Sequence, residues 1–173
     1  VEAQAGKRSL LESVKSRHAG RVDYAIAVLG AQSKKSVPFY SMETGSSVFE
    51  EATTIPRSLQ RLPMTTLDSL MKDLNLDEPI FLKLDVQGAE IEVLKGARKT
   101  LRNTRAILME VSFLEYNRKA PLMSDVIAYM KSNDFLPYDI CSSSRRVSDG
   151  ALFQTDMLFV RSDDLLRQSR TFL

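Results

Sequence analysis

Residues Phe81 to Ala97 read FLKLDVQGAEIEVLKGA, and the fold turns on this stretch. Pro79 precedes an apolar run, Ile80 to Leu84, of the length of a buried strand. Asp85 closes the run. Gly88 follows, and a helix is expected from about Glu90 to Leu94. Gly96 permits a break, and a second helical turn should run on to about Leu101. In an open α/β sheet, ligands sit outside the carboxyl ends of the strands. A strand that passes into a helix through an acid and a glycine has the form of such a place.

Working toward the C-terminus, Ala106–Val111 (AILMEV) is the next buried strand. Pro121–Asn133 has the spacing of an amphipathic helix, and Phe135–Ile140 that of a strand. A polar loop, SSSRRVSDG, leads to a last strand at Met157–Val160. No helix separates these two strands, so they are expected to be antiparallel neighbours. Toward the N-terminus, Lys7–His18 places Leu10, Leu11 and Val14 at helical spacing. Val22–Leu29 reads as a strand stopped by Gly30, and Val37–Met42 as another, between loops at Ser33–Ser36 and Thr44–Ser47. Leu62–Met64 reads as a short extended piece. Thr65 or Thr66 can cap a helix from Leu67 to about Leu74.

Strand and helix alternate through the middle of the chain, which predicts an α/β fold with a mostly parallel sheet covered by helices. Its core strands should lie around Val1, Tyr24, Leu82 and Leu108, with the strand around Phe159 antiparallel beside its neighbour. No repeat or linker divides the sequence, so residues 1–173 are expected to form one unit.

Composition excludes several classes. The chain has 173 residues and a formal net charge of +2, too small to argue for nucleic acid or an anionic membrane as partner. No apolar run is long enough to span a bilayer and no secretory signal opens the chain, so no membrane insertion is expected. One cysteine, Cys141, leaves no internal disulfide and favours a reducing compartment, hence a cytoplasmic location. His18 is the sole histidine, which argues against a zinc site of Cys/His type. No metal is expected.

Three acids should line one edge of the sheet. Asp85 ends its strand and points into the crevice. Gly88 lets backbone or ligand come close. Glu90 sits in the first turn of a helix, where the macrodipole favours a carboxylate. Glu110 lies near the end of the following strand, where it must be solvated at a rim or paired, with Lys83 or Lys95 as candidate partners.

LKLDVQGAEIEVLKGA resembles the signature of FkbM-type methyltransferases, which read L-K-I-D-V-E-G-A-E before an apolar helix. MTTLDSLMKDL resembles the family's T-T-L-D helix. AVLG at Ala27–Gly30 resembles its turn after the third strand, and GSSV at Gly45–Val48 its small-residue loop. ILMEVS and DMLFVR resemble its fifth and last strands. The resemblance implies a Rossmann-like class I methyltransferase fold with an antiparallel last strand. It implies transfer of a methyl group from S-adenosyl-L-methionine to a hydroxyl of a small molecule, sugar or glycan.

By the same resemblance, Glu2 in VEAQ matches the acid that accepts both ribose hydroxyls. Ala27 and Val28 would lie along the adenine, and Asp85 would face the methionine end or the acceptor. Gln87 stands where the family carries Glu, and Ser112 where a His is common. A carboxylate, Asp85 or Glu110, is then the remaining candidate for the base that takes the hydroxyl proton. Gly88, Glu90 and Ser112 are expected to order the turn or face the acceptor, with FLEYNRKAPL as a candidate wall. The family's Gly-rich loop should precede VEAQ. None of the seven glycines forms G-x-G, so the expectation is a chain that starts near the second strand and lacks the first.

The competing reading is a non-catalytic remnant or binding scaffold that keeps the face of the fold without the cofactor loop. A dinucleotide-dependent oxidoreductase is disfavoured by the absence of G-x-G-x-x-G.

Overall fold

Residues 1–18, 20–43, 45–52, 55–74 and 78–169 are described in a computed structural model of the chain; Thr44, in one of the expected loops, lies outside them. In chain order the elements are α1 (Arg8–Arg17), β1 (Val28–Leu29), β2 (Lys34–Ser41), β3 (Ser58–Thr65), α2 (Leu67–Leu70) and β4 (Ile80–Leu84). There follow α3 (Glu90–Lys95), α4 (Arg98–Arg102), β5 (Thr104–Ser112), α5 (Met123–Ser132), β6 (Phe135–Arg145) and β7 (Leu152–Arg161).

The fold is α/β with two mixed sheets, one ordered β1-β3-β2 and one β4-β5-β7-β6. This corrects the expected mostly parallel sheet. Among the named strands of the described residues, β1–β3 and β4–β5 pair in parallel, while β2–β3, β5–β7 and β6–β7 are antiparallel. The segment around Val1 adds a single parallel bridge, Glu2 to Ile26. Only the end of the expected Val22–Leu29 strand is laddered. The first sheet's main partner is β3, a strand the sequence showed only as Leu62–Met64. Its faces carry Ser58, Gln60 and Arg61, all exposed, so hydrophobic alternation marks just its end.

The larger sheet follows the expected order more closely. On β5, Ile107, Met109 and Val111 are almost fully buried and form one core with Met157 and Phe159 of β7 and with Val93, Leu94, Val126 and Met130 of the helices. Leu108 and Glu110 alternate onto the opposite face, as a strand's two-residue period requires. Among the described residues β4 pairs with β5 alone, and Phe81, expected to be buried, is 59% exposed. The antiparallel β6–β7 pair is as expected but longer: β6 runs on through the SSSR of SSSRRVSDG, and the rest of that stretch is the closing turn, where Gly150 has φ 72°.

The T-T-L-D segment ties helices to the sheet. Thr66 caps α2 by accepting from Ser69 N at 3.1 Å. The Asp68 carboxylate accepts from Lys99 N and Thr100 N at the start of α4, both at 2.9 Å. Burial pushes Asp68 up, yet these donors outweigh it and hold its carboxyl below its ordinary value. α2 stops at Leu70, short of the expected Leu74.

Candidate functional site

The two sheets meet at a cleft of about 330 Å³, whose walls include Glu2, Ala27, Val28, Phe39, Ser47 and Asp85. Four of the residues expected at the cofactor site, Glu2, Ala27, Val28 and Asp85, therefore share one cavity. Glu2 Oε1 accepts from Gln4 N at 2.7 Å. This bond fixes one oxygen, and the other has no donor among the described residues. Val28, Phe39 and Val48 add apolar surface to the same lining. A cleft of this size that holds a carboxylate and apolar side chains suits a nucleoside, whose sugar hydroxyls donate and whose base packs on apolar surface.

The turn after β4 is built around Gln87, a residue the sequence marked only as a departure from the usual Glu. Its backbone is left-handed, with φ 52°. Three contacts pin it there: the carbonyl accepts from Ser47 Oγ and Asn117 Nδ2, each at 2.8 Å, and the side-chain oxygen accepts from the Tyr116 hydroxyl at 2.9 Å. Gly88 continues with φ 97°, and a Cβ there would lie 2.7 Å from Cβ of Ala120. The glycine is thus demanded by backbone angle and by close packing, and it lines a neighbouring hollow, not the cleft that holds Asp85.

The three acids separate into two jobs. Glu90 is 2% exposed, and its Oε1 accepts from Val86 N and Gly88 N, both at 3.2 Å. It thus holds two backbone donors of the turn from inside. Burial lifts its carboxyl from 4.5 to about 7 despite those donors.

Asp85 and Glu110 are instead linked through Gln87, whose Nε2 donates to Asp85 Oδ1 at 2.9 Å and to Glu110 Oε2 at 2.8 Å. Gln154 Nε2 donates to the same Glu110 oxygen at 2.7 Å and also to the Tyr116 hydroxyl. The expected partners of Glu110, Lys83 and Lys95, pair elsewhere: Lys83 with Asp85 at 3.5 Å, Lys95 with Glu92 at 2.6 Å. Burial is the main cause that lifts Glu110 to about 7, and the charges of Asp85 and Asp156 add to it. Burial raises the Tyr116 phenol as well, so that hydroxyl stays protonated. Ser112 is buried beside this group, opposite Gln154 on β7.

A carboxyl that titrates near neutrality, held by two amides at one oxygen and without a donor at the other among the described residues, can take a proton from a hydroxyl. The sequence pointed to both acids but missed Gln154, Tyr116 and Ser47. Tyr116 lies within FLEYNRKAPL, so the wall was found but not the residue. Gln154 carries no local signal, because only the β5–β7 register brings it to Glu110.

Among the described residues no helix is long and apolar enough to cross a membrane. The family described as Methyltransferase FkbM domain matches residues 2–137. No match is found among curated proteins. Among solved structures, the chain is similar in fold to the crystal structure of methyltransferase FkbM from Methylobacillus flagellatus KT. The TM-score is 0.52 at 17% identity, over 92% of this chain and 35% of that one. This chain therefore corresponds to about a third of that protein's length.

Proposed function

The chain belongs to the methyltransferase FkbM domain family, and from that premise we propose that its cleft binds S-adenosyl-L-methionine and that the methyl acceptor is a hydroxyl oxygen of a small molecule, sugar or glycan. The observation that carries this reading is the one cavity shared by Glu2, Ala27, Val28 and Asp85, with Glu110 hydrogen-bonded to Gln87 one step beyond it.

S-Adenosyl-L-methionine supplies, when bound, an electrophilic methyl carbon on a positively charged sulfur. The chain's own residues do the rest. Glu2 receives the sugar hydroxyls, and Ala27 and Val28 flank the base. Asp85, with its side chain half exposed, faces the sulfonium end, where its negative charge favours the cation. Glu110 accepts the proton that the acceptor hydroxyl loses as its oxygen bonds to carbon. The electron pair of the broken carbon–sulfur bond stays on sulfur. Gln87 and Gln154 position Glu110 so that one carboxylate oxygen is left for the acceptor. Transfer of this kind depends chiefly on alignment of oxygen and carbon, which a rigid, hydrogen-bonded turn provides. On this reading the two sheets are the halves of a Rossmann-like arrangement.

Calorimetric titration of the chain with S-adenosyl-L-homocysteine tests the reading. Binding is expected, and Glu2→Ala should weaken it by about 1–3 kcal/mol, the usual cost of leaving buried polar groups without a partner. Undiminished affinity in Glu2→Ala would remove Glu2 from the site. Absence of binding to the wild-type chain would favour the scaffold reading.

A further inference from the structure

Behind the lining of the cleft lies a second charged element that neither the acids nor the donor explains. Arg57 lies just before β3 with its side chain 6% exposed, paired through Nη2 with Glu51, itself 7% exposed. Its other two nitrogens, Nε and Nη1, are buried and meet no acceptor among the described residues. A buried guanidinium with unmet N–H groups is costly, because each donor has lost water and gained nothing.

Its place in the site follows from its neighbours. A methyl group on Gly45 would lie 3.7 Å from Arg57 Nη2 and 3.7 Å from Gln87 Oε1, and Gly45 lines the cleft that holds Glu2 and Asp85. The guanidinium tip and the Gln87 amide thus converge on one small-residue position. Burial raises the Tyr116 phenol, and Arg57 is near enough to act against that rise. The chain also builds a wall here. Glu50–Ala52 pairs with Tyr116–Arg118 through Ala52 N to Tyr116 O at 2.6 Å and Arg118 N to Glu50 O at 2.7 Å. On that wall Asn117, 1% exposed, has a buried amide oxygen without a donor among the described residues.

Resting on the reading above, we propose that Arg57 recognises an anionic group, carboxylate or phosphate, on the hydroxyl-bearing methyl acceptor. The planar guanidinium matches the oxygens of either anion, which an ammonium would hold only as a point charge. The unmet Asn117 oxygen suits a hydroxyl of the same molecule. Glu51 holds the guanidinium in place and competes with the incoming anion for it. The acceptor class is therefore a small hydroxylated anion, such as a hydroxy acid or a sugar phosphate.

The test follows the Arg57 side-chain Nε–H signal by NMR in the isotope-labelled chain. The probes are glycolate, glycerol 3-phosphate and neutral glycerol. The signal should move with at least one anion and not with glycerol, and the anion that moves it separates carboxylate from phosphate. Affinity for that anion, read from backbone signals around Gly45, should fall roughly tenfold or more in Arg57→Lys, which keeps the charge but not the fork. It should rise several-fold in Glu51→Gln, which removes the competing charge. Opposite signs from the two partners of one ion pair cannot arise from loss of folding.

An Arg57 signal insensitive to both anions would overturn the proposal, as would a Glu51→Gln chain that stays folded with unchanged anion affinity. So would a signal that moves with S-adenosyl-L-homocysteine but not with its decarboxylated analogue, because the anion would then be the donor's own. Binding of S-adenosyl-L-homocysteine is measured on the same samples. Its failure there would count against the donor site while leaving the anion result standing.

Discussion

Glu110 carries the reaction's proton in this account, and its surroundings set the pH at which it can. A carboxyl lifted to about 7 by burial, then by Asp85 and Asp156, is an effective base only when ionised. The methyl-transfer rate should therefore rise with pH through about 7 and level off above it. Glu110→Gln should lower the rate by roughly 10²–10⁴, the usual contribution of a positioned base, and abolish the rise. Asp85→Asn removes a neighbouring negative charge, so it should move the inflection to lower pH. A rate that keeps its pH dependence in Glu110→Gln would assign the base elsewhere.

Glu90 has the same displacement but a different consequence. Its folded value lies near 7, above its ordinary 4.5, so the folded chain keeps a proton that the unfolded chain has released between those values. The stability it contributes is full below about 4.5 and declines as pH rises toward 7. Glu90→Gln should flatten that decline in Tm measured across the window. An unchanged pH slope would show that the buried carboxyl does not titrate there.

At the scale of elements, the central stretch was legible and its neighbours less so. Ile80–Leu84, the break at Gly96 and the helix on either side of it read directly, because apolar period and glycine agree there. β3 did not, because Ser58, Gln60 and Arg61 lie on exposed faces and leave no pattern. The β6–β7 extension through SSSR was hidden for a like reason: every residue of β6 from Pro137 onward is exposed on an edge strand, where polar residues cost nothing.

Gln87 shows another limit. Its left-handed backbone is held by Ser47 and Asn117, 40 and 30 residues away, contacts that no local reading contains. Gly96, by contrast, has a packing reason now visible: a Cβ there would lie 2.2 Å from the carbonyl oxygen of Gly30. That close approach joins the end of α3 to the end of β1. Gly96→Ala must push backbone from backbone and should cost about 1–3 kcal/mol, as overpacking does. Chemical denaturation would measure it, and a loss below about 0.5 kcal/mol, the size expected of a neutral surface change, would mean the contact yields freely.

Over the whole molecule, the two sheets divide the work. The larger one holds the main core and presents Asp85 and Glu110 at strand ends. The smaller one, with buried Val28, Val37 and Phe39, supplies the wall that a nucleoside would face. Neither sheet makes the cleft alone, so the claim at stake is that the donor lies between them. The direct measurement is an NMR map of the labelled chain titrated with S-adenosyl-L-homocysteine. The account predicts shifts concentrated at Glu2, Ala27, Val28, Gly45–Val48 and Asp85. Shifts centred instead on the neighbouring hollow lined by Gly30, Ile91 and Pro121, with the first group unmoved, would contradict it.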